Sequence, residues 1–297
     1  MLLGQITLRL RLWRLYQWSK NLLVYLPLIA SHKLGLSKEF QETTVAFISF
    51  CFAATSGYLV NDLLDKQRDL LHPIKQKRPI PSGLISNLEA QVWILVFTSA
   101  AVWSSLTIST LFFACILSYL FLTFTYSLVF KKLVMVDILS LSLLYLIRIL
   151  GGSIASQTEV SVWLIVFTGF LFLSLGAAKR YSELIRFTND EYFDKNGRGY
   201  KPSDASVVQT FGIVPCFAAT VILSIYVTDD ATQQLYENPP LLLLTIPIFL
   251  TWTMKLWIQI HRGVIIEDPI VYLLRNRETW ISVVLILAVA TVSSISI

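Results

Sequence analysis

Long uncharged stretches alternate with short polar ones along this chain, and their lengths are those of membrane-crossing helices. Thr43 to Val60 carries no charge and is long enough to cross a hydrocarbon layer once. Ala90 to Phe130 is uncharged for 41 residues. At about 1.5 Å per residue that is twice the hydrocarbon thickness, so the chain is predicted to turn back near Ser104 to Ser109. Further spans are expected at Leu133 to Gly151, Val160 to Ala178, Ala205 to Thr228, Pro239 to Ile260 and Thr279 to Ile297. With a first, shorter run from Asn21 to Ser31, the pattern predicts an all-α polytopic membrane protein of nine transmembrane helices.

Composition agrees with that pattern. A chain of 297 residues with 55% hydrophobic and 14% charged residues has no room for a second, soluble domain, so residues 1–297 are read as one transmembrane domain, with no nucleic-acid partner expected. The basic residues orient it. With the N-terminus inside, all but four of the 24 lysines and arginines fall on inner segments; the exceptions are Lys33, Lys38, Arg148 and Lys255. The expected location is therefore a plasma membrane of bacterial type, with the long polar loops 61–88 and 179–206 at the cytoplasmic face. Cys51, Cys115 and Cys216 each sit in an apolar run without a CxxC, which reads as packing. At the N-terminus, Arg9, Arg11 and Arg14 interleave with Leu, Trp and Tyr as in an interfacial segment, and no small-residue cleavage site follows. Lys20 and Asn21 stand at its inner edge, in a position to face a ligand.

The candidate chemistry begins where the second span meets water. Asp62, Asp65 and Asp69 stand at i, i+3 and i+7, which on a helix places three carboxylates on one stripe, a cradle for a divalent metal. The bland alternative is a solvated helix end paired with Lys66 and Arg68. Lys131 and Lys132 read as anchors at the inner interface in preference to ligands, and Tyr126 either packs in its span or faces a phosphate. Asp137 lies a turn inside the membrane. Arg148 lies deeper, where a charge costs about 2.5–3.5 kcal/mol on insertion scales, so it is expected to snorkel outward, bind a lipid phosphate or pair with a carboxylate. Lys255 is close enough to its inner end to snorkel.

The run Asn61-Asp62-x-x-Asp65-x-x-x-Asp69, followed by His72-Pro73-x-Lys75-x-x-Arg78-Pro79-Ile80-x-Ser82-Gly83, resembles the first aspartate-rich motif of the UbiA superfamily of intramembrane prenyltransferases. Within it the chain is most similar to the decaprenyl-phosphate phosphoribosyltransferase branch. Matching pieces are Gln17-Trp18-Ser19-Lys20-Asn21, Tyr126-Ser127 with Lys131, Asp137, Ile147-Arg148 with Gly151-Gly152, Lys179-Arg180-Tyr181-Ser182-Glu183, and His261-Arg262-Gly263 leading to Asp268-Pro269. The resemblance implies nine helices around a central cavity, Mg2+ on the carboxylates holding a diphosphate leaving group, and a lipid substrate entering from the bilayer. The branch implies transfer of 5-phosphoribosyl from phosphoribosyl diphosphate to a polyprenyl phosphate.

The residues suit that chemistry. Departure of diphosphate from an allylic or an anomeric carbon builds negative charge on the leaving group, which Mg2+ and fixed cations stabilise. Asn61, Asp62, Asp65 and Asp69 offer oxygen ligands, with Glu183 completing the metal site or binding ribose hydroxyls. Lys20, Lys75, Arg78, Tyr126, Lys179, Arg180 and Arg262 are the expected substrate contacts. After the sixth span the prenyltransferases of the superfamily usually carry more aspartates. This chain has two cations and one carboxylate instead, which suits a donor with a further phosphate and an anionic acceptor. A phosphate monoester is already largely ionised near neutral pH and asks for no strong base. The polar segment Asp190 to Asp204 departs from the pattern; Arg198, Tyr200 and Lys201 would reach the donor if it caps the site. The alternatives are prenyl transfer from a prenyl diphosphate to an aromatic or other small acceptor, and a non-catalytic transporter or lipid-binding protein. The apolar outer surface also admits a homo-oligomer.

Overall fold

The computed structural model describes residues 8–31, 37–71, 74–186, 198–234, 236–265 and 268–294. His32, Lys33, His72, Pro73 and the 190–197 part of the polar segment lie outside them. Every regular element among the described residues is helical. A 3-10 helix, Leu15–Tyr25, runs into α1 (Leu26–Ala30), followed by α2 (Ser37–Leu64), α3 (Lys66–Leu70), α4 (Asn87–Leu106), α5 (Thr110–Leu128) and α6 (Val136–Ser156). Then come α7 (Val162–Arg186), α8 (Ala205–Thr228), α9 (Asp230–Gln233), α10 (Thr245–His261), α11 (Pro269–Arg275) and α12 (Arg277–Ser293).

Among the described residues six segments are long and apolar enough to cross a membrane: Lys38–Leu64, Thr110–Leu128, Val136–Ser156, Val162–Arg186, Pro202–Thr228 and Pro239–His261. The other three expected spans differ for visible reasons. The first is a 3-10 helix joined to a short α-helix that has Pro27 in its first turn. Helix α4 carries Asn87, Glu89, Gln91 and several hydroxyls, and α12 has only 17 residues. The reversal in the long uncharged run falls at Thr107 to Ser109, inside the expected interval, with Ser109 capping α5 through the amide of Phe112. Helix α7 runs on to Arg186, so Lys179, Arg180 and Glu183 stand on a helix and not on the loop expected from 179 onward.

The chain divides into two compact units, residues 1–160 with 194–199, and residues 161–193 with 200–297. In the first, α2 packs on α4, α5 and α6 through small residues: Ala46, Ala53 and Ala54 are buried against Ala101, Phe112, Ile116 and Tyr119. Small side chains let helix backbones approach where lipid supplies no hydrophobic driving force. Hydroxyl pairs Ser49 to Ser104 and Ser56 to Thr98, each at 2.7 Å, join α2 to α4. In the second unit α7 packs on α8, and the Trp257 indole of α10 donates to Ser174 Oγ at 3.1 Å.

Among the described glycines of the first unit the least room is at Gly152 of α6, where an added Cβ would lie 2.0 Å from the Val24 carbonyl oxygen. A backbone atom cannot rotate away, so Gly152→Ala forces α6 off the 3-10 helix. Overpacking of this kind costs about 1–3 kcal/mol. The variant should lose roughly 5 °C or more of melting temperature in detergent; an unchanged transition would contradict the contact.

Candidate functional site

In the first unit, Asp62 closes the last turn of α2, and the chain bends at Asp65 before α3. The stripe is thus carried by two helices instead of one. It stays in register because Asp65 N donates to Asn61 O at 2.9 Å and Asp69 N to Asp65 O at 2.8 Å. Asp62 and Asp69 are 2% and 4% exposed, which for carboxylates demands partners. The partners come from three distant segments. Arg14 Nη2 reaches Asp62 Oδ1 at 2.5 Å, and Arg78 Nη1 donates to Asp62 Oδ1 at 3.0 Å and Asp69 Oδ2 at 2.6 Å. Lys131 Nζ donates to Asp65 Oδ1 at 2.7 Å and Asn61 Oδ1 at 3.0 Å.

Local sequence explains how those cations are held. Arg78 opens the Arg-Pro-Ile-Pro-Ser-Gly turn, in which Ser82 N bonds Arg78 O, Ile85 N bonds Pro79 O, and Gly83 has a φ of 77°, where an L side chain is strained. Ile80 and Ile85 are buried among Leu12, Leu59, Ala90 and Phe97 and pin that loop to the bundle. Arg14 precedes the first 3-10 helix with a left-handed backbone, φ 51°. This conformation is costly for a non-glycine residue, and it holds the guanidinium over the Tyr58 ring and onto Asp62. Lys131, in the 3-10 turn after α5, is 4% exposed; sequence reasoning favoured an anchor at the membrane surface, and the structure turns it inward. Burial holds the Asp69 carboxyl above the usual aspartate range, against the pull of Arg78 and Lys75. Burial also draws the Lys131 ammonium below the usual lysine range, against Asp65.

Among the described residues no three His, Cys, Asp or Glu side chains form a ready-made metal cluster. The carboxylates are charge-paired instead. Their chemistry still fits Mg2+, which takes hard oxygen ligands and needs only one or two carboxylates when phosphate oxygens and water supply the rest. Asp62 and Asp69 already converge on one guanidinium nitrogen, and Asn61 and Asp65 on one ammonium.

Of the remaining expected contacts in this unit, Lys20 is buried on the inner face of the 3-10 helix with Gln17 and Asn21. Lys75 and Tyr126 are half-buried. Arg148 is turned into the bundle and, among the described residues, pairs with no carboxylate. It is 3% exposed and donates to Asn21 Oδ1 (2.7 Å), Leu144 O (2.6 Å) and Tyr119 OH (2.6 Å), with the rings of Tyr119 and Tyr145 against its guanidinium. Asp137 is fully buried in the first turn of α6.

The second unit holds a set of its own. Arg180, 1% exposed, bonds Glu183 one turn on and lies over the Tyr200 ring at 5.3 Å. Lys179 Nζ stands 3.4 Å from Asp268 Oδ2, a carboxylate quoted only for its motif, which also caps α11. Tyr181 OH meets His261 Nδ1 at 2.8 Å with the rings stacked. Arg262 and Lys201 are exposed, and Lys255 pairs with Glu278 at 3.9 Å. Arg14 and Asp268 are thus the site neighbours that received no role from the sequence, whereas Tyr200 was expected to reach the donor; Arg14 was legible only as one of several interfacial arginines.

Comparison with known proteins follows the same lines. The model of the UbiA prenyltransferase family matches residues 25–190. An uncharacterized protein, y4nM, of Sinorhizobium fredii is 30% identical over 268 residues, 90% of this chain but 52% of that protein, so the chain spans about half its length. Nodulation protein NoeC of Azorhizobium caulinodans is 29% identical, covering 91% of this chain and 88% of that one. The decaprenyl-phosphate phosphoribosyltransferase of Mycolicibacterium smegmatis is 31% identical over 172 residues, 57% of this chain and 54% of the enzyme. The fold is that of a UbiA homolog from Archaeoglobus fulgidus solved with DMAPP and Mg2+, with TM-score 0.72, 18% identity, and 97% of this chain and 99% of that one covered.

Proposed function

Because the chain belongs to the UbiA prenyltransferase family, and is therefore a membrane transferase and not a transporter, we propose that it transfers 5-phosphoribosyl from phosphoribosyl diphosphate to a polyprenyl phosphate. The observation that carries this reading is the pairing of Asp62, Asp65 and Asp69 with Arg14, Arg78 and Lys131 in one buried site. It offers carboxylates for a metal and, beside them, fixed positive charge for phosphates. The relatives named as decaprenyl-phosphate phosphoribosyltransferases support the choice of donor and acceptor. In this reading nine passes with the N-terminus in the cytoplasm put the aspartate end of α2 at the cytoplasmic face of a bacterial plasma membrane.

Mg2+, when bound by Asp62, Asp69 and their neighbours Asn61 and Asp65, supplies charge neutralisation at the departing diphosphate. The chain's own part is electrostatic and positional. Arg14, Arg78 and Lys131 exchange their carboxylate partners for phosphate oxygens as donor binds, with Lys75 adding charge at the rim. The bond from the anomeric carbon to the diphosphate oxygen breaks with its electron pair leaving on diphosphate. An oxygen of the acceptor phosphate forms the new bond to that carbon, and no proton need move. In the second unit Lys179 and Arg180 offer further positive charge for a phosphate, with Asp268 and Glu183 holding them in place.

Prenyl transfer is the second reading, favoured by the fold shared with a homolog solved with DMAPP. Donor binding separates the two. With Mg2+ present, phosphoribosyl diphosphate should raise the melting temperature of the purified protein at concentrations where geranyl diphosphate does not; the reverse order would move the function to prenyl transfer.

A further inference from the structure

The 3-10 helix Leu15–Tyr25 lies against α2 in a register fixed by three contacts. Asn21 Nδ2 meets Cys51 Sγ at 3.2 Å, Trp18 Nε1 donates to Thr55 Oγ1 at 3.0 Å, and Arg14 covers Tyr58 and reaches Asp62. The two helices therefore run antiparallel, turn for turn. Gln17 falls between the levels of Thr55 and Asp62. It is one 3-10 turn, about 6 Å, deeper than Arg14 and the carboxylates, and one turn above buried Lys20.

Gln17 is 8% exposed, and no donor among the described residues reaches its Oε1. Buried carbonyl oxygens are almost always satisfied, and here both neighbouring turns do find partners. An acceptor held one turn below a diphosphate site suits a ligand that carries hydroxyl groups next to the carbon bearing the diphosphate. A ribosyl donor has them at that distance; a prenyl chain has none.

We infer that Gln17 Oε1 accepts a hydrogen bond from a ring hydroxyl of the donor's ribose and so selects a hydroxylated sugar donor over an apolar one. The inference rests on the phosphoribosyl reading above. It gives a role to a glutamine that neither the aspartate motif nor the comparisons assign.

The test compares phosphoribosyl diphosphate with its 2-deoxy and 3-deoxy analogues on wild type, Gln17→Met and Gln17→Glu, all as full-length protein in detergent. Wild type should prefer the intact donor over one of the analogues by tenfold or more in kcat/KM, as a site built to bind a hydroxyl does. Gln17→Met, of matching length but without the carbonyl, should lose about that factor on the intact donor and nothing further on the disfavoured analogue. Gln17→Glu, which keeps an acceptor oxygen, should retain the preference. A wild-type enzyme that uses all three donors equally overturns the inference without any variant having to fold, and so does a Gln17→Met that keeps full discrimination. Absence of phosphoribosyl transfer by wild type would instead remove the functional reading itself, and the inference with it.

Discussion

Asp62→Asn should bring transfer to about a thousandth of the wild-type rate or less. Asp62 is the carboxylate on which two guanidinium groups converge, so its loss removes both a metal ligand and the anchor that sets Arg14 and Arg78. Groups that stabilise charge developing in a transition state are each worth roughly 10²–10³ in rate, and a metal adds several kcal/mol more, on the order of another factor of 10². The half-buried arginines, each left with one partner fewer, will also lower stability, so diphosphate release has to be read beside a melting curve. Donor protection against melting should vanish with the activity. A variant that melts lower yet turns over at a tenth of the wild-type rate or better would remove Asp62 from the chemistry.

Arg180→Gln should be nearly as severe, by a different route. Arg180 is enclosed, bonds Glu183 and lies on Tyr200. Removing one member of a largely enclosed ion pair costs about 3–5 kcal/mol. The melting temperature should fall by roughly 10 °C, and transfer by about 10²-fold, mostly in KM for the donor if the guanidinium serves phosphates. Arg180→Lys should recover charge without the planar stack and fall between the two. Wild-type donor KM in Arg180→Gln would make the residue structural only.

Both variants act on positions that the sequence marks, and the reason is local. Asp62, Asp65 and Asp69 advertise themselves because carboxylates are rare at the end of an apolar run, and the Arg78 turn because two prolines and a glycine follow at fixed spacing. The spans of α5, α6 and α8 were legible to within five residues, since α5 and α8 are uncharged throughout and only Asp137 and Arg148 interrupt α6. What stayed hidden depends on pairing across the fold. Arg14 and Asp62 are 48 residues apart, and the left-handed backbone that joins them is set by packing, not by a glycine in the sequence. Arg148 was read as snorkelling outward or meeting an anion, whereas two tyrosines, an asparagine and a carbonyl surround it. Lys131 looked like an anchor because burial of an ammonium is visible only once Asn61 and Asp65 are in place. The end of α7 was placed too early because Lys179 and Arg180 break the apolar run without breaking the helix.

The most direct measurement of the central claim is diphosphate release, with product analysis, by the purified protein given Mg2+ and a polyprenyl phosphate. Phosphoribosyl diphosphate is compared with prenyl diphosphates offered beside an aromatic acceptor. The account predicts release with phosphoribosyl diphosphate alone, together with a phosphoribosylated lipid. Release only with the prenyl donor and aromatic acceptor would contradict it.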